Sequence, residues 1–96
     1  MTDNKPEMIK GKTASGFEFE FEADTLDDYE LLEALIKVDK GDYTMLPAVV
    51  DSLFRDRKQA LMDHLRQDNG RVSVKAIAEA MKEIFTALNE NKQSKN

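Results

Sequence analysis

Few side chains in this sequence could carry out chemistry, and the single histidine is the first of them. His64 follows Asp63 in a helix-like segment, and the chain of 96 residues has one histidine and no cysteine. A metal site needs further imidazoles, thiolates or converging carboxylates, and a catalytic histidine needs a nucleophile or a substrate cleft. We therefore predict that His64 lies at the edge of an apolar stripe. We also predict no catalytic residue, no metal site and no cofactor.

Two further segments look like ion-binding sequences but lack the required pattern. One is a cluster of acids at the start of a predicted helix, where the helix dipole already favours them, made up of Asp24, Asp27, Asp28 and Glu30. The other, 67–73, places Gly70 where an EF-hand loop has its glycine. That register puts Leu65 and Ala76 at positions one and twelve, where calcium needs carboxylates. We predict instead a connection between two helices, with Gly70 as the C′ residue and Ser73 as the next N-cap.

Composition favours one small domain. Hydrophobic residues make up 41% and charged residues 34%, which is typical of a globular chain. The first twelve residues show no secretory signal, and no apolar run approaches the roughly 20 residues of a membrane span.

The net charge of −5 is unevenly distributed. Residues 1–42 have 5 basic and 12 acidic side chains (net −7), whereas residues 43–96 have 9 and 7 (net +2). Arg55, Arg57, Lys58, Arg66 and Arg71 make the third predicted helix and its flanks basic, but the overall acidity argues against a nucleic-acid surface. The acidic half favours a basic protein partner or a basic patch on a sister subunit.

The elements that must position these residues begin with a β-hairpin. Residues 16–22 alternate Phe and Glu, which predicts a strand with three aromatic rings on one face and three carboxylates on the other. Residues 8–12 are a weaker strand candidate, and 13–16 would form the turn. Lys10 and Lys12 would then offset the Glu row across the hairpin. Because an isolated hairpin is marginal in water, the Phe face must be covered by helices.

Four helices are predicted after the hairpin. The first begins at a cap on Asp24 or Thr25 and ends near Gly41; the second spans about 44–54 and the third about 56–67. The fourth begins at Ser73 and has the clearest apolar stripe, formed by Ile77, Met81, Ile84, Phe85 and Leu88.

The predicted fold class is α+β, mostly α, with an N-terminal β-hairpin followed by a compact bundle of about four helices. Residues 1–12 form an N-terminal segment that includes the candidate first strand. Residues 13–88 form a single globular domain, and 89–96 form a polar C-terminal tail.

The first helix has two apolar stripes, whereas a surface helix needs only one. One consists of Leu31, Leu35 and Val38, and the other of Tyr29, Leu32 and Ile36. Either the helix is sandwiched between the hairpin and the other helices, or one stripe serves a partner or self-association. Under the second interpretation the partner-binding residues are Tyr29, Leu32 and Ile36.

Two segments carry a resemblance to a known family. They are GFEFEFEADTLDDYELLEAL at 16–35 and ALMDHLRQDNGRVSVKAIAEAMKEIF at 60–85, and the strand-to-helix junction DDYELLEAL and the turn HLRQDNGRV are their most telling parts. Together they resemble the small tail assembly chaperones of long-tailed (siphovirus-type) bacteriophages and prophages of Gram-positive bacteria. The similarity covers 13–88 and consists of helix caps and core residues, with no catalytic signature.

This resemblance implies a non-enzymatic role. Such chaperones bind the tape measure protein and keep it soluble during tail morphogenesis. Other tail assembly proteins are further partners that the resemblance implies. They act in the cytoplasm of the bacterial host and are absent from the mature virion. The family tends to self-associate, which implies a homo-oligomer and suits the second stripe of the first helix, and it often yields a longer frameshifted product. From its charge and hydropathy we expect the chain to have no nucleic-acid and no membrane partner. It marks no functional residue to transfer. The alternative is a small acidic phage or prophage regulator that binds or sequesters a protein partner.

Overall fold

The computed structural model describes residues 7–93 and confirms the N-terminal hairpin. Strand β1 (Met8–Lys12) pairs antiparallel with β2 (Glu18–Glu22), in a register that sets Ile9 opposite Phe21 and Gly11 opposite Phe19. The Phe side chains of β2 and the preceding Phe17 are buried, while the Glu side chains point to solvent. Strict alternation therefore separates a core face from a charged face.

Thr13 organises the tight turn between the two strands. Its backbone N–H donates to the Phe17 carbonyl at 2.9 Å, and its carbonyl accepts from Gly16 N–H at 2.9 Å. Gly16 has φ of +96°, which glycine adopts without the steric cost of a Cβ. The buried Thr13 hydroxyl accepts from Phe17 N–H at 3.1 Å and lies 3.0 Å from the Ser15 hydroxyl, so its polar atom is satisfied inside the fold.

The charged face of the hairpin has the pairing predicted for Lys12. Its Nζ lies 3.9 Å from a Glu18 carboxylate oxygen, and Lys10 is opposite Glu20 in the register. The Lys12 and Glu18 side chains are largely exposed, so their ion pair adds little stability.

The first helix, α1 (Tyr29–Asp39), begins later than predicted. Asp24 and Thr25 lie in a preceding 3₁₀ turn (Ala23–Leu26), where the Thr25 hydroxyl donates to the Glu22 carbonyl at 2.6 Å. The cap is Asp28, whose Oδ1 accepts from Leu31 N–H at 3.2 Å. Gly41 follows the helix with φ of +96°, in agreement with its predicted role as a stop.

The prediction of about four helices is wrong, because the second and third are continuous. Helix α2 (Leu46–Phe54) follows a 3₁₀ turn (Tyr43–Met45) and passes through another (Arg55–Arg57) directly into α3 (Lys58–Leu65). Neither Gly nor Pro occurs between 48 and 69, so the sequence has no strong helix breaker that would place a loop between α2 and α3. The described residues therefore contain three helical segments, of which 46–65 is one, redirected at Arg55 by its φ of +47°.

The last helix, α4 (Val74–Gln93), begins at the predicted cap, since the Ser73 hydroxyl accepts from Ala76 N–H at 3.1 Å. Four of its five predicted stripe residues are buried and Phe85 is half-buried. The helix contacts α1, α2 and β1, which brings all parts of the fold to one core. It also continues into the segment predicted as a polar tail; residues 94–96 of that segment, like 1–6 of the N-terminal one, lie outside the described residues.

The connection between α3 and α4 differs from the predicted helix stop. Gly70 is not the C′ residue of α3, because the helix ends at Leu65. Its N–H donates to the Gln67 carbonyl and Gln67 N–H donates to the Arg71 carbonyl, with Gly70 at φ of +86°. This is the pattern of a three-residue hairpin loop.

Candidate partner-binding surface

The structure separates the two apolar stripes of α1. Leu31, Leu35 and Val38 are buried in the core, with Leu35 only 2% exposed. On the other side Tyr29 is 75% exposed and Ile36 39% exposed, while Leu32 is half-buried between the two faces. We call Tyr29, Leu32 and Ile36 the outer stripe. The outer stripe lies on the surface of the chain, and of its three side chains only Leu32 is half-buried against the rest of the fold.

The outer stripe is the only place where two large exposed apolar side chains share a helix face among the described residues. The other two are Met8 on β1 and Val74 at the start of α4, on different elements. Scattered exposed apolar residues are normal on a protein surface, whereas a continuous patch marks an interaction site.

Carboxylates border the outer stripe on both sides. With about 100° between successive residues, Glu33 lies roughly 40° from Tyr29 on one side, and Asp39 lies roughly 20° from Leu32 on the other. Glu33 also lines a shallow groove between α1 and α2 together with Glu30, which lies roughly 100° from Tyr29 around the helix and so faces away from the stripe. Of these acids the sequence singled out only Glu30, as part of the acidic cluster at the start of the helix. Glu33 and Asp39 were not singled out, although the excess of negative charge in 1–42 pointed towards them.

These carboxylates form none of the ion pairs seen within residues 7–93. The three pairs join Lys12 to Glu18, Lys58 to Asp51, and Arg66 to Asp63, all away from α1. Glu30, Glu33 and Asp39 on α1 therefore keep their charge open to a partner. Asp28, just before α1, differs in part, because one of its oxygens caps the helix.

His64 has a structural position. Its Nε2 lies 3.0 Å from the Ser15 carbonyl, and its ring centroid lies 5.4 Å from that of Phe17. The histidine thus attaches α3 to the hairpin turn. On the other side of the same turn, Glu83 of α4 accepts a hydrogen bond from Ala14 N–H at 2.9 Å, a contact that sequence reasoning missed because the two residues are far apart in the chain.

The other segments considered for chemistry do not converge on a site. Within residues 7–93 no group of three or more His, Cys, Asp or Glu side chains is arranged to hold a metal ion. In the 67–73 segment, Arg71 N–H donates to the Asn69 side chain at 2.9 Å and the Arg66 guanidinium donates to the Gly70 carbonyl at 2.9 Å. The polar groups of this loop therefore stabilise its own turn.

The basic side chains near α3 are largely engaged in local contacts. Arg57 donates to the Glu18 carbonyl at 3.4 Å, Lys58 lies 2.9 Å from Asp51, and Arg66 contacts Asp63. Arg57 thus joins the helical region to the hairpin, and Lys58 joins α3 to α2. No helix within the described residues combines the length and hydropathy needed to cross a membrane.

One carboxylate near the end of α1 has a shifted pKa. The Thr44 hydroxyl donates to Asp42 at 2.6 Å and the Thr44 backbone N–H donates to it at 3.1 Å. These two hydrogen bonds, with a smaller contribution from the charge of Lys37, hold the pKa of Asp42 below its usual value. The pair fixes the turn that leads into α2 and is not part of the outer stripe.

Comparisons with protein-family models, with curated proteins and with solved structures find no match to this chain. The family resemblance therefore depends on the two segments 16–35 and 60–85 themselves.

Proposed function

We propose that this chain is a non-enzymatic phage tail assembly chaperone that binds the tape measure protein and keeps it soluble during tail morphogenesis. The observation that carries the proposal is the outer stripe of α1, an apolar surface left open within an acidic region. The resemblance of 16–35 and 60–85 to small tail assembly chaperones supplies the identity of the partner.

The chemistry of the outer stripe suits this task. A long helical protein exposes apolar residues before it is assembled, and covering them requires apolar surface and no reactive group. Tyr29 offers a large, rigid side chain with few rotamers to immobilise, a type enriched among residues that dominate binding energy. The surrounding carboxylates provide negative charge that favours solubility of the complex.

Co-expression with the tape measure protein tests the proposal. We expect the wild-type chain to raise the soluble fraction of that protein and to co-purify with it. The double variant Tyr29→Gln/Ile36→Gln should retain roughly one tenth or less of the co-purified partner, because two central apolar contacts are lost. The matched control is Met8→Gln/Val74→Gln, which removes the two exposed apolar side chains outside α1 and should behave like the wild type.

Two results would contradict the proposal in different ways. If the wild-type chain changes neither solubility nor co-purification of the tape measure protein, the chaperone function is wrong and the regulator alternative is favoured. If both double variants lose the partner equally while their circular dichroism spectra stay native, the chaperone function stands but the outer stripe is not its contact surface. A tape measure gene downstream, with a slippery heptamer near the stop codon, would give independent support.

A further inference from the structure

The charges along α1 are arranged unevenly, and this asymmetry bears on what the outer stripe can bind. Six carboxylates lie between residues 24 and 40, and five of them precede Leu35: Asp24, Asp27, Asp28, Glu30 and Glu33. The two lysines of this stretch, Lys37 and Lys40, both follow Ile36. The Tyr29 end of the stripe is therefore strongly acidic, whereas the Ile36 end is close to neutral.

The spacing of the stripe specifies the shape of its partner. Tyr29, Leu32 and Ile36 follow an i, i+3, i+7 pattern and span about 10 Å along the helix axis, or two turns. A second α-helix presents apolar residues with the same period, so it can lie along the stripe with its side chains between these three. An extended strand presents alternate residues and does not match this period.

From these two observations we propose that the outer stripe binds an amphipathic helix whose Lys and Arg residues are concentrated at the end that lies over Tyr29. This inference rests on the proposed function, because it describes the segment of the partner that the chaperone would hold. The basic residues of that helix would meet Glu33, which lies roughly 40° from Tyr29 around α1, and would be attracted over a longer distance by Glu30, roughly 100° from Tyr29. Neither carboxylate has an ion pair among the described contacts.

Binding of synthetic helical peptides tests the chemistry of this segment. The first probe has Leu at i, i+3 and i+7 and Lys clustered in one half, and the second has Glu in place of every Lys. Measured by fluorescence anisotropy, the Lys peptide should bind at least about tenfold more tightly than the Glu peptide. The difference should shrink as salt is raised from 50 to 500 mM, because the charges involved are exposed.

Variants of the protein locate the binding site. Tyr29→Gln/Ile36→Gln should abolish binding of the Lys peptide. Glu30→Gln/Glu33→Gln should weaken it roughly fivefold at low salt, since Gln keeps helix propensity and removes charge. The matched control, Asp56→Asn/Glu79→Gln, also removes two exposed carboxylates but lies outside α1 and should change affinity less than about twofold.

The absence of cysteine from the sequence allows the orientation to be tested directly. A Lys peptide with a bromoacetyl group at its Lys-rich end should alkylate an Asp27→Cys variant several times faster than a Lys40→Cys variant. The rate at which each cysteine variant reacts with bromoacetamide alone, without the peptide, provides its reference rate. The same rates at both positions would overturn the proposed orientation.

Other outcomes overturn the inference as a whole. It is wrong if the Lys peptide does not bind, if the Glu peptide binds equally well, or if the control variant loses as much affinity as Glu30→Gln/Glu33→Gln. It is also wrong if sedimentation shows a dimer that Tyr29→Gln/Ile36→Gln dissociates, because a second copy then occupies the stripe. If the peptide binds but the soluble fraction of the tape measure protein does not rise, only the proposed function is wrong. If the soluble fraction rises but the peptide does not bind, only this inference is wrong.

Discussion

The hairpin and α1 both have more apolar side chains than a solvent-facing element needs, but the fold treats them differently. Phe17, Phe19 and Phe21 are all buried, and their rings contact Phe54, His64 or one another. The outer stripe of α1 keeps Tyr29 and Ile36 exposed. A two-stranded hairpin is at best marginally stable in water, so its apolar face has to be covered. A helix that already buries one stripe can leave a second one open for binding.

The largest effect expected from this difference is on stability. Phe19→Ala should lower the free energy of unfolding by about 3–5 kcal/mol, because it removes a buried ring and leaves a cavity. Tyr29→Ala, also a large aromatic truncation, should cost less than about 1 kcal/mol because its side chain is exposed. Urea denaturation followed by circular dichroism measures both. Equal losses would mean that Tyr29 belongs to the core and would remove the contrast.

A smaller loss is expected at Gly11, where the hairpin accommodates the Phe19 ring. A Cβ placed on Gly11 would lie 2.5 Å from the tip of that ring, which is far closer than van der Waals contact. Gly11→Ala should therefore destabilise the fold by about 1–3 kcal/mol, as in other overpacked cores. Thermal unfolding measures the change. In a Phe19→Leu background, where the clashing side chain is shorter, Gly11→Ala should cost less stability than it costs in the wild type. An equal cost in both backgrounds would argue against this contact.

The polar attachment of the hairpin turn should contribute less again. Glu83→Ala removes the carboxylate that accepts from Ala14 N–H and should cost about 0.5–1.5 kcal/mol. Glu79→Ala, one turn earlier on the same exposed side of α4, serves as the control and should be close to neutral. If both variants melt at the same temperature as the wild type, the Glu83–Ala14 hydrogen bond does not contribute to holding the turn, and the His64 contact with Ser15 and the apolar contacts hold it.

For the outer stripe, the structure predicts almost no effect on folding. Tyr29→Gln/Ile36→Gln should change the free energy of unfolding by less than about 1 kcal/mol, whereas Leu35→Gln, on the inner side of the same helix, should prevent stable folding. Urea titration monitored by circular dichroism separates the two cases. A large loss in the double variant would show that the stripe is covered within the folded protein.

The smallest expected effect is on the pKa of Asp42, which lies just beyond the C-terminal end of α1. Because Thr44 stabilises the charged carboxylate, the pKa of Asp42 lies below its usual value in the folded state. Its contribution to stability is therefore present above the unfolded pKa of about 3.9 and is lost as pH falls through the lower folded value. NMR titration of the side-chain carboxyl measures that pKa. Thr44→Val should raise it towards the usual value, and an unchanged pKa in the variant would exclude the Thr44 hydroxyl as the cause.

Local patterns were sufficient for the hairpin and for α4. The alternation of Phe and Glu in 16–22 specified both the strand and its buried face, and Ser73 with the stripe after it specified the start and the inner side of α4. The start of α1 was predicted too early. Asp24, Thr25 and Asp28 are all good N-caps, and only the three-dimensional path of the 3₁₀ turn selects Asp28.

The sequence by itself determined that this chain is small, acidic and poor in reactive groups, and that α1 has two apolar stripes. Those properties follow from composition and from the 3.6-residue period of the helix, which are local. Only the tertiary structure decided which stripe is buried, because that depends on where α2 and α4 pack against α1. It also decided that α2 runs into α3 and that Glu83 meets the hairpin turn, since contacts between residues far apart in the chain leave no pattern in a single sequence.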